Sequence, residues 1–500
     1  MKKYTVKHIA IISLGVLIII ASGCNKLKDF GDTNISPNGV AEPNLSALLT
    51  NSLIGLSGYV TTNAPAYFCQ YRGESTYPGI SKYTGLNINA SGNYSGILQD
   101  CQVIITKCTD PNFASKAAKY GDLGSQEAIA TLLKVFQYWG LTDRWGDLPY
   151  SEALKGAAVL LPKYDKQEDI YSGLLTDIEY ALGKFNTGSN ATVQGDVIYA
   201  GDVTKWRKFG NSLRMLIAIR MTKRYPSAGQ FAAIEFNKSL NSPYGYIATN
   251  ADNFSIKYPG GVFPNPVNAL NVSQDEAVAL TFTDALNGMG DTRRASMASL
   301  TNGVPYGLSG AAPIGTPYAR LMNGSFAADN SSLPIINAAS VLLAKAEAIE
   351  RGWVPSMTTA DAKIAYEDAI TASFAQWAQT IPASYLSTVA DYNSGVGGGS
   401  IGGTSVAGSS AATTSKLERI ALQQWIAFFP AGLQGWSNWR RTGIPILRPT
   451  IFATNPMGQI PRRYTYGTSD YTTNLVQVNI AVARIPGAAD SQDAKLWWDQ

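Results

Sequence analysis

Apolar residues recur at helical spacing along much of this chain. The clearest stretch is "KQEDIYSGLLTDIEYALGKF" (166–185), where Ile170, Leu174, Ile178 and Leu182 fall on one face and Asp169, Asp177 and Glu179 elsewhere on the turn. That pattern predicts an amphipathic helix. Similar patterns predict helices over 43–58, 94–108, 122–141, 203–224, 337–352, 360–378 and 415–429. Two pairs, 166–185 with 203–224 and 337–352 with 360–378, are compatible with tetratricopeptide-like helix-turn-helix units of about 34 residues, although strict short repeats are absent. Between 225 and 335 the texture changes to Gly, Pro, Asn and Tyr with no sustained period, predicting long loops with short strands at most. Loops of that length inside a compact domain usually carry function. "NSGVGGGSIGGTSVAGSSAATT" (393–414) is low-complexity Gly/Ser and reads as a mobile surface insert.

The first residues, "MKKYTVKHIAIISLGVLIIIASGC", set a basic start (Lys2, Lys3, Lys7) before an apolar core from Ile9 to Ile20. This is the form of a secretory signal peptide. As a helix the core would extend about 18 Å against roughly 30 Å of hydrocarbon, short for a permanent span. Removing residues 1–23 takes three lysines and no acid, so Lys+Arg falls from 40 to 37 against 36 Asp+Glu. Near neutrality, with basic residues scattered, the chain has no electrostatic footprint for nucleic acid.

The only histidine, His8, leaves with that segment. Ser-His-Asp and Cys-His nucleophilic sites and His-ligated metal sites are thereby excluded, leaving carboxylate chemistry, a lysine base or an oxygen-ligated metal. "DTNISPN" (32–38) spaces oxygens like the start of a calcium loop but lacks the glycine and distal glutamate such a loop needs. No cofactor or metal is expected. Besides Cys24 there are Cys69, Cys101 and Cys108. Cys101 and Cys108, seven apart on one helix, lie about 10 Å from each other, beyond disulfide reach. Cys69 pairing with one of them and three buried free thiols both remain open.

"TDRWGDLPY" (142–150) gathers Asp143, Arg144, Trp145 and Asp147, residue types that a sugar-cleaving site uses. Gly146 and Pro149 break the helix after Trp145, so the two carboxylates need not share a face. The stretch reads as the exit of a scaffold helix. Arg144 would satisfy the two neighbouring carboxylates, and Ser151 or a neighbour would cap the following turn. "TKWRKF", "NWRRTG" and "DTRR" (291–294) are read as structural in the same way.

Seven landmarks in order carry a family resemblance: "ASGC" ending in Cys24, which resembles a bacterial lipobox; "FQYWGLTDRWGDLPYSEAL" (136–154); "GDVTKWRKFGNSLRMLIAIRM" (201–221); "PIINAASVLLAKAEAIERGW" (334–353); "LERIALQQWIAFFPAGLQGWSNWRRTGIP" (417–445); "IPRRYTYGTSDYTTN" (460–474); and "DAKLWWD" (493–499). The chain resembles the SusD/RagB family of outer-membrane nutrient-binding lipoproteins. Two departures concern the ligand: Gln434-Gly435-Trp436 stands where relatives commonly have an acidic residue before the tryptophan, and the Gly-rich insert is long.

The resemblance implies a mostly α fold, with a tetratricopeptide-like helix-pair scaffold, long irregular loops and a few short strands. It divides the chain into a signal peptide (1–23), a lipidated N-terminus and tether (24–41) and one ligand-binding domain (42–500) carrying the insert at 393–414. It implies lipidation at Cys24, a place in the outer membrane facing the cell exterior, and a SusC-like TonB-dependent transporter as partner. The ligand would be an oligosaccharide, or in some members a peptide, handed on without chemistry.

Sugars offer C–H faces to aromatic rings and hydroxyls to Asn, Gln, Asp and Arg. Of 26 tyrosines many fall in the loop zones 67–94, 254–274 and 304–320. The resemblance places ligand contacts near the first zone and in the middle loops. Candidate platforms are Tyr77, Tyr83 and Tyr94 with Arg72, Asn87 and Asn93 as polar partners; Tyr258, Phe263, Asn265 and Tyr306 form a second set. Three further classes stand beside the glycan-binding reading: the same role with a peptide or other nutrient, a carboxylate-only glycosidase or lyase, and a pure assembly scaffold.

Overall fold

The computed structural model describes residues 42–186, 188, 192–313 and 316–500. The signal segment, Cys24, the tether and the 32–38 stretch lie outside the described residues.

Each predicted helix is present. In chain order the helices of eight residues or more are α1 (Leu45–Gly55), α2 (Gln99–Thr109), α3 (Leu123–Trp145), α4 (Gln167–Lys184), α5 (Val203–Arg220), α6 (Phe231–Leu240), α7 (Pro266–Ser273), α8 (Leu280–Gly288), α9 (Ala338–Glu350), α10 (Thr359–Gln376), α11 (Lys416–Ala427), α12 (Gly432–Thr442) and α13 (Thr468–Arg484). Local chemistry sets their ends. Asp122 accepts from Ser125 N–H at the start of α3, Asp202 from Thr204 and Lys205 N–H at α5, and Asn337 from Ser340 N–H at α9. Ser415 and Glu418 form a reciprocal capping box on α11. Gly146 at φ 91° ends α3, and Gly443 at φ 75° ends α12.

Successive helices pack pairwise: α2 on α3, α3 on α4, α4 on α5, α5 on α6, and α9 on α10. The early pairs meet the late one through α5 on α9, and α11 lies on α9. This is the helix-pair scaffold that the periodicity predicted. One apolar cluster runs through it, with Phe209 stacked on Phe254 at 4.1 Å and Trp206 edge-on to both. Residues Leu45–Gln500 form one compact unit.

Among the described residues the strands are short and come in four separate pairs. They are β1 (Arg72–Glu74) with β4 (Glu276–Val278), β2 (Asn87–Ile88) with β8 (Thr465–Tyr466), β3 (Phe254–Lys257) with β5 (Ser332–Ile336), and β6 (Gly397–Ser400) with β7 (Ser410–Ala412). Only the β2–β8 pair is parallel.

Two expectations are corrected here. The 225–335 region holds α6, α7 and α8 besides its loops and strands. These helices are short, with Phe236 in α6 and Phe282 and Leu286 in α8 buried among Ala, Ser and Thr, so each gives only two or three turns of period between loops. The Gly/Ser insert is a packed hairpin. A Cβ on Gly397 would lie 2.1 Å from Ala411 O, and one on Gly288 would lie 2.4 Å from Gly398 O. Glycine is needed there because two backbones touch. The cysteines are resolved as well: Cys69, Cys101 and Cys108 are buried free thiols.

Among the described residues no helix is long and apolar enough to cross a membrane.

Candidate functional site

The first loop zone folds back over the β1–β4 pair. Arg72 pairs in register with Val278 and is only 1% exposed. Its guanidinium forms an ion pair with Glu276 and donates to Thr62 O at 3.1 Å, while Tyr67 Oη donates to the other Glu276 oxygen at 2.6 Å. Arg72 therefore fastens two strands and offers no donor to a ligand. Tyr83 is buried at φ 73°, edge-on to Phe68, with its hydroxyl accepting from Thr450 N–H. Tyr306 is wholly buried beside it. Neither ring has a face open to a sugar. Burial pushes both phenols up, well above the ordinary tyrosine range.

What these buried rings do is hold four loops together. Ser75 N–H donates to Asp275 O at 2.8 Å, and Ala312 N–H donates to Ser75 O at 2.7 Å. Thr450 Oγ1 donates to Gly307 O at 2.6 Å, and Thr454 N–H to Lys82 O at 2.9 Å. On the outside of this knot Tyr77 stands 74% exposed, and Phe452 and Ile451 are exposed on the neighbouring loop. Sequence reasoning missed the 448–457 loop because it contains no tyrosine; its signal was an isolated Ile-Phe pair between Pro449 and Pro456.

The remaining candidates disperse. Asn87, exposed, sits in β2 against Thr465. Half-buried Tyr94 donates its hydroxyl to Pro149 O at 2.7 Å and is edge-on to Tyr138. Half-buried Asn93 donates to Asn89 O and Ala90 O. In the second set Tyr258 is buried, Phe263 is 61% exposed, and Asn265 is fully buried as the N-cap of α7, accepting from Val267 N–H.

Tyr258 and Asn265 nevertheless shape a cleft. Tyr258 N–H donates to Ser331 O and Asn265 Nδ2 donates to Ser331 Oγ, and Ser331 lines a cleft of about 600 Å³. Its floor is the outer face of the β3–β5 pair. Phe254 and Ile256 point into the core, so by strand alternation Ser255 and Lys257 face the other way, with Ser332 and Pro334 beside them. One wall is aromatic: Phe326 lies 5.1 Å from Trp377 between ring centres. A second is amide: Asn253 Nδ2 donates to Asn250 Oδ1 and Gln376 Oε1. The buried Trp377 Nε1 has no partner. Lys257 is the one charged lining residue. Trp377 ends α10 and Phe326 sits among Ser and Asn in 323–332, a pairing invisible without the fold.

The "TDRWGDLPY" carboxylates are tied elsewhere, by long-range partners. Asp143, 1% exposed, accepts from Tyr171 Oη and faces Arg220 Nε at 3.5 Å. Asp147 accepts from Gln167 N–H at 2.8 Å and pairs with Arg484 at 3.2 Å. Arg144, expected to satisfy both, pairs with neither: its Nε donates to Gly140 O and its guanidinium lies 4.8 Å from the Trp145 ring. Adjacent helical residues diverge by about 100°, and the turn at Gly146 carries Asp147 away. The Ser151 turn is held by Asp165, which accepts from Tyr150 N–H, Ser151 N–H and Ser151 Oγ. The two basic-aromatic motifs and "DTRR" pin the scaffold as read. Trp206 Nε1 donates to Asp196, the Arg440 guanidinium lies 3.5 Å from the Trp436 ring, and Arg293 is buried against Asp291. Gln434 accepts from Arg220 Nη2 and is buried. No group of three or more potential metal ligands occurs among the described residues.

Comparison with known proteins adds the relatives. A SusD-like family described as "Starch-binding associating with outer membrane" matches residues 37–467. Among solved structures, a chitin-binding SusD homologue from Flavobacterium johnsoniae superposes with a TM-score of 0.73 at 22% identity, covering 91% of this chain and 98% of that one. A SusD-like protein from Bacteroides thetaiotaomicron gives 0.73 at 23% identity with 91% and 98% coverage, and a SusD homologue from Bacteroides uniformis 0.71 at 24% with 91% and 99%. No curated protein matches the chain. Since the family match spans most of the sequence and the helix-pair fold agrees with it, this chain belongs to the SusD-like family.

Proposed function

We propose that this protein is a cell-surface outer-membrane lipoprotein that binds an oligosaccharide and passes it, unmodified, to a SusC-like TonB-dependent transporter. In this reading Cys24 carries the lipid, residues 24–41 form the tether, and 42–500 form one ligand-binding domain. The observation that carries it is the 600 Å³ cleft, with an aromatic wall and a floor of hydroxyls and amides, in a chain of this family. The half-buried Phe326 ring, backed by the buried Trp377, takes the C–H face of a sugar, and Ser and Asn take its hydroxyls. Tyr77 and Phe263, exposed on separate loops, offer further ring faces, and Asn87 is exposed in β2. The lack of catalysis is supported by the state of Asp143, whose carboxylate is buried and occupied by Tyr171 and Arg220.

The relatives described as starch- and chitin-binding choose the first probes. Calorimetry with malto- and chito-oligosaccharides should give micromolar or weaker binding to at least one. Phe326→Ala, and Tyr77→Ala combined with Phe263→Ala, should each weaken it about tenfold, the loss of one stacked ring being worth roughly 1–1.5 kcal/mol. Unchanged affinity in all these variants, or release of reducing ends by the purified protein, sinks the reading.

A further inference from the structure

A second cleft, about 160 Å³ in volume, opens beside the last two turns of α3. Arg144 lines it from the C-terminal turn and Gln137 from two turns earlier, with Asn93, Thr62 and Tyr59 opposite. Seven residues are nearly two full turns, so Gln137 and Arg144 project from one face of α3. An arginine on a helix leans back toward the N-terminus, which carries its guanidinium toward Gln137. Between them Gly140 has no side chain; a Cβ there would lie 2.1 Å from Tyr59 Oη. Tyr59 fills that gap as a wall, its hydroxyl held by Phe136 O at 2.6 Å.

Several polar groups that meet in this cleft keep hydrogen-bonding capacity that no described residue uses. Arg144 spends only Nε, on Gly140 O, and its two terminal nitrogens donate to no described residue. The Gln137 side chain is 9% exposed, and its amide likewise has no hydrogen-bond partner among the described residues. Asn93 uses its Nδ2 on backbone carbonyls, leaving Oδ1 free. No acidic residue lines the cleft, and the two carboxylates next to Arg144 in sequence are bound to Arg220 and Arg484. Burial pulls the Arg144 guanidinium below its ordinary value. Arg144 is half-buried and makes no ion pair among the described residues, although the Asp143 charge acts on it through space, and its planar fork matches the two oxygens of a carboxylate.

We propose that this cleft binds the carboxylate of a small acidic ligand, with the Arg144 fork on its two oxygens and Gln137 and Asn93 on an adjacent hydroxyl or amino group. The volume suits one terminal residue, a uronic acid or an amino acid, rather than an oligosaccharide. The site is separate from the cleft at Phe326 and does not depend on neutral glycan binding there.

The test is calorimetry or ligand-observed NMR on the full chain with glucuronate, glucose and glycylglycine. Glucuronate or glycylglycine should bind and glucose should not; which of the two binds tells the saccharide source from the peptide source. Arg144→Gln should weaken the carboxylate at least about tenfold and Arg144→Lys less, since the charge stays and the fork is lost. Phe326→Ala and Tyr77→Ala should leave it unchanged. If Arg144→Gln does not fold, Gln137→Leu serves, with an expected loss of at least about threefold. Equal binding of glucose and glucuronate, no binding of either carboxylate, or unchanged affinity in the folded Arg144 and Gln137 variants overturns the proposal. Failure of neutral glycans to bind, with glucuronate still held, would remove only the glycan reading at Phe326.

Discussion

Buried charge is the main specialisation at the scale of single residues. Glu347, inside the scaffold, receives both terminal nitrogens of Arg441 (Nη2 to Oε2 at 2.7 Å), Arg351 Nε at 2.8 Å and Gln424 Nε2 at 2.8 Å. Burial by itself would raise this carboxyl, but the two guanidiniums and these hydrogen bonds hold it down at about 2. A carboxyl lowered in the folded state adds stability above its unfolded value near 4.5, and that stability is lost as pH falls from about 4.5 toward 2. Glu347→Gln leaves Arg441 buried and uncompensated, so chemical denaturation at pH 7 should show a loss of about 3–5 kcal/mol, with a flatter acid limb. Asp147 has the opposite sign. Burial pushes it up to about 6, against the pull of Arg484 and the Gln167 N–H. Here the folded state holds the extra proton, so this group's contribution to stability decreases as pH rises from about 4 to 6. Asp147→Asn removes that titration: the difference in denaturation midpoint between variant and parent should change across pH 4–6 and be constant above 7. A carboxyl resonance of Asp147 titrating near 4 would contradict this.

Individual elements show how much context a segment needs. α4 and α9 follow from their periodicity, and α9 is capped by Asn337 while α4 has no side-chain cap. α12, "GLQGWSNWRRT", is patterned as a helix with a polar face, yet Gln434, Ser437, Asn438, Arg440 and Arg441 are all buried in it. Periodicity marks that face as polar but does not reveal that other elements cover it, and its polar groups are satisfied by distant partners, such as Arg440 Nη1 on Asp143 O and Arg462 O. The Gly/Ser hairpin is the sharper case, since composition alone reads as flexibility. Gly397→Ala sets a Cβ against Ala411 O at φ 69°, whereas at Gly399, φ 71°, nothing lies within 4 Å. Thermal or denaturant melts should therefore cost Gly399→Ala about 1 kcal/mol and Gly397→Ala clearly more, about 2–3 kcal/mol. Equal costs would mean that the strands do not touch as described.

At the scale of the whole molecule the helix pairs serve as a platform; the larger cleft lies at the loops and the β3–β5 pair, and the smaller one opens between helices. The loop tyrosines divide accordingly. Tyr83 and Tyr306 are buried struts under Gly307, while Tyr77 remains outside. If Cys24 is the membrane attachment, Cys24→Ser should move the protein from the outer-membrane fraction to the soluble fraction on cell fractionation without altering glycan affinity. Co-purification with an outer-membrane β-barrel should survive mild detergent in the parent protein. Membrane retention of Cys24→Ser to the parental level would rule the anchor out.

From the sequence alone came eight of the helices and the family, because periodicity and the order of short motifs are local or additive properties of a chain. Only the tertiary structure decided which tyrosines are open, that Arg144 pairs with neither adjacent aspartate, and that Phe326 meets Trp377 across some fifty residues of chain. Exposure and pairing depend on what packs against a residue from elsewhere, and side-chain type does not encode that. A loop tyrosine becomes a strut or a platform according to whether another loop, such as the one at Thr450, closes over it.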